Sequence, residues 1–229
     1  MVFQTLIEKT VAVFDGLSCQ QLELPNQFSR IERHEQDGVL TIENHFFQIG
    51  DVGQLRIAHT HAPKINIMAV FFFPECAYQL PVYSMEFVLL GQKPIIALMD
   101  TVCLIQPMTT SAVVKEFMDF AHTNYPDFSQ GEALPQWFDE CRSGQEFFIR
   151  PREISEFSAL GEIHLTLVGH LTNLFQNAEI FDKKTAALHK TNLENYKHHH
   201  KINSPGTRLM NRSFGEEWTN EYLTVYLFV

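Results

Sequence analysis

The chain lacks the motifs that usually hold a redox cofactor or a nucleotide. It contains no GxGxxG fingerprint and no GxxxxGK[ST] loop, so the usual sequence sign of a bound dinucleotide or nucleoside triphosphate is missing. Its few cysteines form no CxxC pair and lie far apart, at Cys19, Cys76, Cys103 and Cys141. This spacing encodes neither a zinc knuckle nor an iron–sulfur site. A redox enzyme built from this chain must therefore obtain its electrons from elsewhere.

Long apolar segments and an export signal are also missing. No run of 18 or more apolar residues occurs, and the N-terminus has neither a basic leader nor a small-residue cleavage site. The 229 residues, 45% of them hydrophobic, are enough to bury a substantial core. We expect one domain over residues 1–229, in a cytoplasmic, monomeric protein without a membrane segment.

The order of the periodic segments predicts the fold class. Residues 1–15 carry a helical apolar stripe, and helical patterns return after residue 112, through Val113, Phe117, Phe120 and Ala121 and again from Ile154 to Leu174. Between them lie extended runs joined by short turns, which favours antiparallel pairing. The runs are Val39–Ile49, Gln54–Thr60, Ile65–Phe73, Val82–Leu90 and Pro94–Leu104, with a further short run at Phe147–Arg150. Strands first and helices later predict an antiparallel sheet covered by helices.

Glu86 is a lone carboxylate inside the apolar run Val82–Leu90. Removing a carboxylate from water raises its pKa, which suits a general acid. The alternative is a solvated sheet face, with Tyr83, Met85 and Phe87 alternating into the core. Because Val88 shares the face of Glu86 by strand parity, that face is not plainly polar.

Histidines form two further candidate groups. His59 and His61 share one face of a predicted strand, where they either handle protons or lie exposed at the strand end. The run His198–His200 does not predict a metal site, because adjacent helical residues point in different directions. We therefore expect no bound metal.

Positive charge is concentrated near the C-terminus, although the whole chain carries −10. Such a patch attracts an acidic partner or the carboxylates of a ligand, or it is an ordinary solvated helix face. Few aromatic residues accompany it, so we expect no nucleic-acid binding. The basic residues are Lys183, Lys184, Lys190, Lys197, Lys201, Arg208 and Arg212, against Glu194 alone among the acids.

Six segments in a specific order resemble those of the ferredoxin-dependent bilin reductases. They are GVLTIENHFFQ at 38–48, FPECAYQLPVYSMEFV at 73–88, IALMD at 96–100, LPQW at 134–137, FFIRP at 147–151 and the segment at 202–228. The resemblance implies an α/β/α sandwich with a central antiparallel sheet and a linear tetrapyrrole, such as biliverdin, between the sheet and the C-terminal helices. The resemblance also implies that no cofactor is bound, because a reduced [2Fe–2S] ferredoxin supplies the electrons. We expect this ferredoxin, which is acidic, to dock at the basic patch.

The resemblance also assigns roles on the strands. Glu86 falls on the position of the family's central proton-donating aspartate. Relatives carry a polar residue facing the bilin where this chain has Ala69, and some carry a glutamate near Ala58. His59 and His61 are close to Ala58 in sequence, and we expect them to substitute for that glutamate.

In the C-terminal loop, the relatives' aspartate corresponds to Ser204. The resemblance implies that Asn203, Ser204 and Thr207 hydrogen-bond the ligand. A propionate-binding arginine of some relatives appears as Glu132. Arg208 or Lys201 is expected to replace it.

The leading hypothesis is reduction of biliverdin or a dihydrobiliverdin by sequential electron and proton transfer, with Glu86 as the proton donor. The losses at Ala58, Ala69 and Ser204 leave two alternatives: a bilin carrier without catalysis, and an enzyme like the related red chlorophyll catabolite reductases. A structural or interaction protein on the same fold is a further alternative.

Overall fold

The computed structural model of the chain describes residues 3–106 and 135–229, together with positions 112, 115, 116, 119, 121–123 and 125. The predicted helical positions Val113, Phe117 and Phe120 lie outside the described residues, as does Glu132.

An eight-stranded sheet forms the centre of the described structure, in the order β1-β3-β4-β5-β6-β7-β8 with β2 paired to β3. All pairings between these strands are antiparallel. The strands are β1 Cys19–Gln21, β2 Arg30–Glu35, β3 Gly38–Ile49, β4 Gly53–Ala62, β5 Ile65–Pro74, β6 Val82–Leu90, β7 Lys93–Val102 and β8 Phe147–Ile149.

Short turns connect β3 to β4, β4 to β5 and β6 to β7, as expected for antiparallel neighbours. The strand predictions are confirmed to within a few residues for β3 to β8. Strands β1 and β2 were not predicted, because they are short and mostly exposed and so carry no alternation of apolar and polar residues.

Helices cover both faces of the sheet. They are α1 Gln4–Val13, α2 Asn26–Ser29, α3 Gln136–Asp139, α4 Glu156–Gln176, α5 Lys183–Asn203, α6 Pro205–Phe214 and α7 Glu216–Tyr222, followed by a π-helical turn at Leu223–Leu227. None of the described helices combines the length and the hydropathy needed to cross a bilayer. The predicted α/β/α sandwich is confirmed.

One face of the sheet, which we call the packed face, carries the main hydrophobic core. Helices α1 and α4 lie on it and bury side chains such as Phe3, Phe157 and Leu167 against the strands. Phe72 of β5 stacks on Phe175 of α4, with ring centroids 4.2 Å apart. The fully buried strand residues of this face include Ile57, Met68, Val70, Phe72, Phe87, Ala97 and Met99.

The opposite face, the cleft face, is covered by α5, α6 and the C-terminal turns. Two smaller apolar clusters support these elements. Helix α5 begins at an Asp182 cap, whose carboxylate accepts from the backbone N–H groups of Lys184 and Thr185. The helix ends before Ser204 because Pro205 disfavours a helical conformation in the residue before it. The resulting break places Ser204 and the start of α6 over the sheet.

Candidate functional site

A row of aligned side chains forms the floor of a cleft on the cleft face. Ala58 pairs with Ala69, Ala69 with Glu86, Glu86 with Leu98 and Leu98 with Phe148 across five neighbouring strands. All five residues line the cleft. Because Ala58 and Ala69 are small, the floor is lowered on the β4–β5 side of Glu86.

Helices α5 and α6 and the C-terminal turns form the roof. The cleft and its open mouth together enclose about 1260 Å³, part of which is open solvent. Among the described residues, its lining contains no Lys or Arg, and Glu86 is its only acid. The roof and walls include Trp137, Phe138, His200, Ser204, Gly206, Thr207, Met210, Phe214, Tyr222, Leu227 and Phe228.

Glu86 is a carboxyl group in apolar surroundings. Its side chain is partly shielded, with one side facing the open cleft and its strand neighbours being Ala69 and Leu98. Burial raises the pKa of Glu86 above its ordinary value. The described residues provide neither an ion pair nor a buried hydrogen-bond partner that would favour the ionised form. Burial thus shifts the carboxyl toward the protonated form that a proton donor requires.

His200 on α5 is a cleft residue that sequence reasoning missed. Its ring is almost fully buried among aromatic side chains, 4.5 Å from the ring of Tyr196, and its Nε2 atom has no hydrogen-bond partner among the described residues. Burial lowers the pKa of His200 to about 4, so the ring is neutral at pH 7. The helical position of the His198–His200 run was visible, but its third member's inward orientation depends on the tertiary packing of α5.

The three predicted residues of the C-terminal loop have different positions. Ser204 and Thr207 line the cleft with Ala69. Ser204 caps α6 by accepting from the Gly206 N–H, while the Thr207 hydroxyl donates to the Lys201 carbonyl. Asn203 donates to the His199 carbonyl and is not part of the cleft lining. Since Pro205 has no N–H and these groups are already paired, the start of α6 offers little to an anion.

The two cations expected to bind propionates lie outside the cleft lining. Arg208 is exposed on α6. Lys201 donates to the Thr224 hydroxyl and lines a separate groove with Lys190 and Lys197. A carboxylate of a ligand in the cleft reaches these groups only if it extends beyond the mouth.

The basic patch is less uniformly charged than its sequence indicates. Lys197 is half-buried, its amino group lies 4.7 Å from the centre of the Phe73 ring, and burial together with nearby Arg56 lowers its pKa to about 8. Arg56 itself is fully buried on β4 between aromatic rings, and burial lowers its pKa to about 10. It donates to Gln54 and lies 3.5 Å from the Val229 carbonyl oxygen, where it supports the C-terminal part of the roof.

His59 and His61 lie on the other side of the sheet from Glu86. Strand alternation that points Ala58 and Thr60 into the cleft points the two histidines toward the packed face. The His59 ring is fully buried and contacts Phe3, with centroids 6.2 Å apart. The expectation that these histidines replace a side chain at Ala58 therefore has no support in their position.

Comparison with known proteins identifies the family. The family model described as ferredoxin-dependent bilin reductase matches residues 7–229. The chain belongs to this family. It is accordingly an enzyme of the bilin reductase class, which uses ferredoxin as its electron donor.

Individual relatives agree with this assignment. A phycocyanobilin:ferredoxin oxidoreductase of Trichodesmium erythraeum is 25% identical, over 93% of this chain and 86% of its own length. A phycoerythrobilin:ferredoxin oxidoreductase of Nostoc punctiforme is 23% identical, over 84% of this chain and 77% of its own length.

Among solved structures, tomato phytochromobilin synthase in complex with biliverdin superposes with a TM-score of 0.84 at 14% identity. The superposition covers 99% of this chain and 82% of the tomato chain. At this identity the match shows a common fold.

Proposed function

We propose that this bilin reductase binds a biliverdin-type linear tetrapyrrole in the cleft and reduces it with single electrons from ferredoxin, with Glu86 as the proton donor. The observation that carries the proposal is the position of Glu86. It is the only acid of the described cleft lining, and it lies on the floor of an apolar cleft. Burial of its side chain raises its pKa, which shifts the carboxyl toward the protonated form that a proton donor requires.

The reaction follows from what the cleft contains. Reducing one double bond of a bilin requires two electrons and two protons. Ferredoxin supplies the electrons one at a time, and Glu86 gives a proton to the bilin radical formed after an electron has arrived. One side of Glu86 faces the cleft, so the carboxylate regains a proton from solvent through the open mouth and gives this second proton to the bilin after the second electron has arrived.

The two small residues beside Glu86 provide space for the ligand. With alanine at both positions, a pyrrole ring is able to lie close to the sheet next to the carboxyl group. His200 faces the cleft from α5 with an unpartnered nitrogen. Because its ring is neutral at pH 7, we assign it a hydrogen bond to a lactam or pyrrole group of the bilin and not the role of an acid.

The exposed basic residues of α5 and α6 are the proposed docking surface for ferredoxin. Lys183, Lys184, Lys190, Arg208 and Arg212 are exposed, and the helices that carry them also form the roof of the cleft. An acidic ferredoxin held at the α6 end of this surface, at Arg208 and Arg212, lies against the roof of the cleft, and the positive field of all five residues speeds its association.

The described cleft lining offers the reaction a single acid, since Glu86 stands without a second acid and Ala58 and Ala69 contribute no polar group. The alternative of a bilin carrier without catalysis is not retained, because the chain belongs to a family of ferredoxin-dependent reductases.

An anaerobic titration in two stages tests the proposal. Biliverdin is first added to the protein alone, where a change in its absorption bands reports binding. Reduced ferredoxin with a regenerating system follows, and a shift of the bands to shorter wavelength with a new product on chromatography supports reduction. Binding without any product contradicts biliverdin as the substrate, and the absence of binding at micromolar biliverdin contradicts the cleft as its site.

A further inference from the structure

A cluster of one carboxylate and two imidazoles lies on the opposite side of the sheet from the cleft. Glu43 of β3 pairs directly with His59 of β4, and His61 follows two residues later on the same face. One oxygen of Glu43 and one ring nitrogen of each histidine lie within 4.8 Å of one another. The His59 Nδ1 atom and the Glu43 Oε2 atom are 4.0 Å apart, too far for a hydrogen bond.

One ring nitrogen of each histidine has no hydrogen-bond partner among the described residues. The His59 side chain is 0% exposed, and its Nδ1 atom is buried without a hydrogen bond. The His61 Nε2 atom is likewise buried and unpartnered. Burying a polar atom without a partner is costly. Two such atoms, on rings whose centroids are 4.9 Å apart, offer lone pairs that one ligand could share.

The second ring nitrogen of His59 and the second carboxylate oxygen of Glu43 are bound by neighbouring side chains. Metal-binding histidines and carboxylates are commonly oriented by such contacts. The other ring nitrogen of His59 hydrogen-bonds to the Asn66 side-chain oxygen at 2.9 Å. Because that oxygen only accepts, the proton lies on Nε2 and leaves Nδ1 with a free lone pair. Arg30 pairs with Glu43 Oε1, while Oε2 faces His59.

We propose that Glu43, His59 and His61 form a binding site for a divalent transition metal, with Zn²⁺ as the ion that fits best. Two imidazoles and one carboxylate are a common three-ligand set for Zn²⁺, with water in the fourth position. Metal–ligand bonds of about 2.0–2.2 Å require the three atoms to approach one another by roughly 1 Å. The partly exposed Glu43 and His61 are able to make this adjustment by small side-chain rotations.

The site is separate from the proposed bilin chemistry. His59 and His61 point away from the cleft, so an ion bound there is divided from Glu86 by the sheet. Such an ion joins β3 to β4, so its role is to stabilise the fold and not to take part in the bilin reaction. The sequence-based expectation that no metal is bound rested on the His198–His200 run. The cluster of Glu43, His59 and His61 was not visible in the sequence, because it forms only when β3 pairs with β4.

The test is a titration of the chelator-treated full chain with Co²⁺, followed by absorption, and with Zn²⁺, followed by calorimetry. We expect one equivalent of each ion to bind, with visible Co²⁺ bands typical of a four- or five-coordinate site. Glu43→Gln and His61→Gln should each weaken Zn²⁺ binding at least about tenfold, since each removes a ligand or replaces it with a poor one. Circular dichroism checks that both variants remain folded.

The control is the variant His198→Gln, which removes the exposed histidine of the run His198–His200. Binding should be unchanged in this variant. The proposal is overturned if no ion binds at micromolar concentration, if folded Glu43→Gln and His61→Gln proteins bind as tightly as the parent, or if the control variant loses the site.

Discussion

The two faces of one sheet differ in how completely they are covered. On the packed face, Met68, Phe72 and Phe87 are fully buried against α1 and α4. On the cleft face, their strand neighbours Ile67, Phe71 and Glu86 line open space. Alternate residues of the same strands thus lie either in a closed core or at an open cleft.

Side-chain size and helix position account for the difference. Large apolar residues fill the space between the sheet and α4, whereas Ala58 and Ala69 leave room beneath α5 and α6. The break at Ser204 turns the chain over the sheet without closing the space. The packed face is therefore expected to carry most of the free energy of unfolding, and the cleft face the chemistry.

The largest expected effect tests stability on two neighbouring residues of β5. Met68→Ala on the packed face should lower the free energy of unfolding by about 2–5 kcal/mol, because it leaves a cavity in a closed core. Ile67→Ala on the cleft face should cost about 1 kcal/mol, since this side chain is already partly exposed. Urea unfolding of both variants measures the difference, and equal losses would contradict the division between faces.

A second pair compares alanines on the two faces. Ala69→Leu fills the cleft floor beside Glu86 and should weaken biliverdin binding about tenfold or more, with little change in stability. Ala97→Leu, at a fully buried position of the packed face, should instead lower stability by about 1–3 kcal/mol through overpacking. Absorption titration and urea unfolding report the two effects. Unchanged binding in Ala69→Leu would argue against the cleft as the bilin site.

The pH dependence of stability should report His200. Its folded pKa of about 4 lies below the ordinary value of 6.5, so its contribution to stability is present above pH 6.5 and is lost as the pH falls toward 4. Between pH 6.5 and pH 4, His200→Gln should therefore lose about 1–3 kcal/mol less free energy of unfolding than the parent protein.

Asp100 provides the opposite case. Burial raises its pKa from 3.8 to about 6, so its contribution is present below pH 3.8 and is lost as the pH rises through 6. Because Asp100 favours the folded state as the pH falls from 6 to 3.8, Asp100→Asn should lose more free energy of unfolding than the parent protein over this range. If both variants follow the parent curve, neither group titrates as described.

The smallest expected effect concerns ferredoxin. Replacing Lys190 and Arg212 by Gln should raise the KM for ferredoxin a few-fold at low salt and by less at high salt, because exposed charges act mainly through screened attraction. Lys64→Gln/Lys93→Gln is the matched control, since both lysines are exposed, Lys64 at the turn between β4 and β5 and Lys93 at the start of β7. An equal effect of the control would show that general charge, and not this surface, matters.

The sheet was largely predictable from the sequence, because strands β3 to β8 show apolar runs bounded by short turns. Glu86 was also found in this way, since a carboxylate among Phe87, Val88 and Leu89 breaks the pattern. Strands β1 and β2 were missed because polar, exposed edges carry no such signal.

Residues that depend on tertiary packing were not predictable. His200 faces the cleft through the placement of α5, and Arg56 is buried by the C-terminal segment. For His59 and His61 the strand parity was available, and it already placed them opposite Ala58. Their nearness to that position in sequence concealed a location on the other face of the sheet.

The most direct test of the account compares Glu86→Gln with the parent protein in anaerobic reduction of biliverdin by ferredoxin. Glutamine keeps the shape of the side chain and cannot donate the proton, so the rate should fall at least about 100-fold while biliverdin still binds. Glu75→Gln, at an exposed position beyond β5, should retain the parent rate. Full activity in Glu86→Gln would contradict the central claim that this carboxyl protonates the bilin.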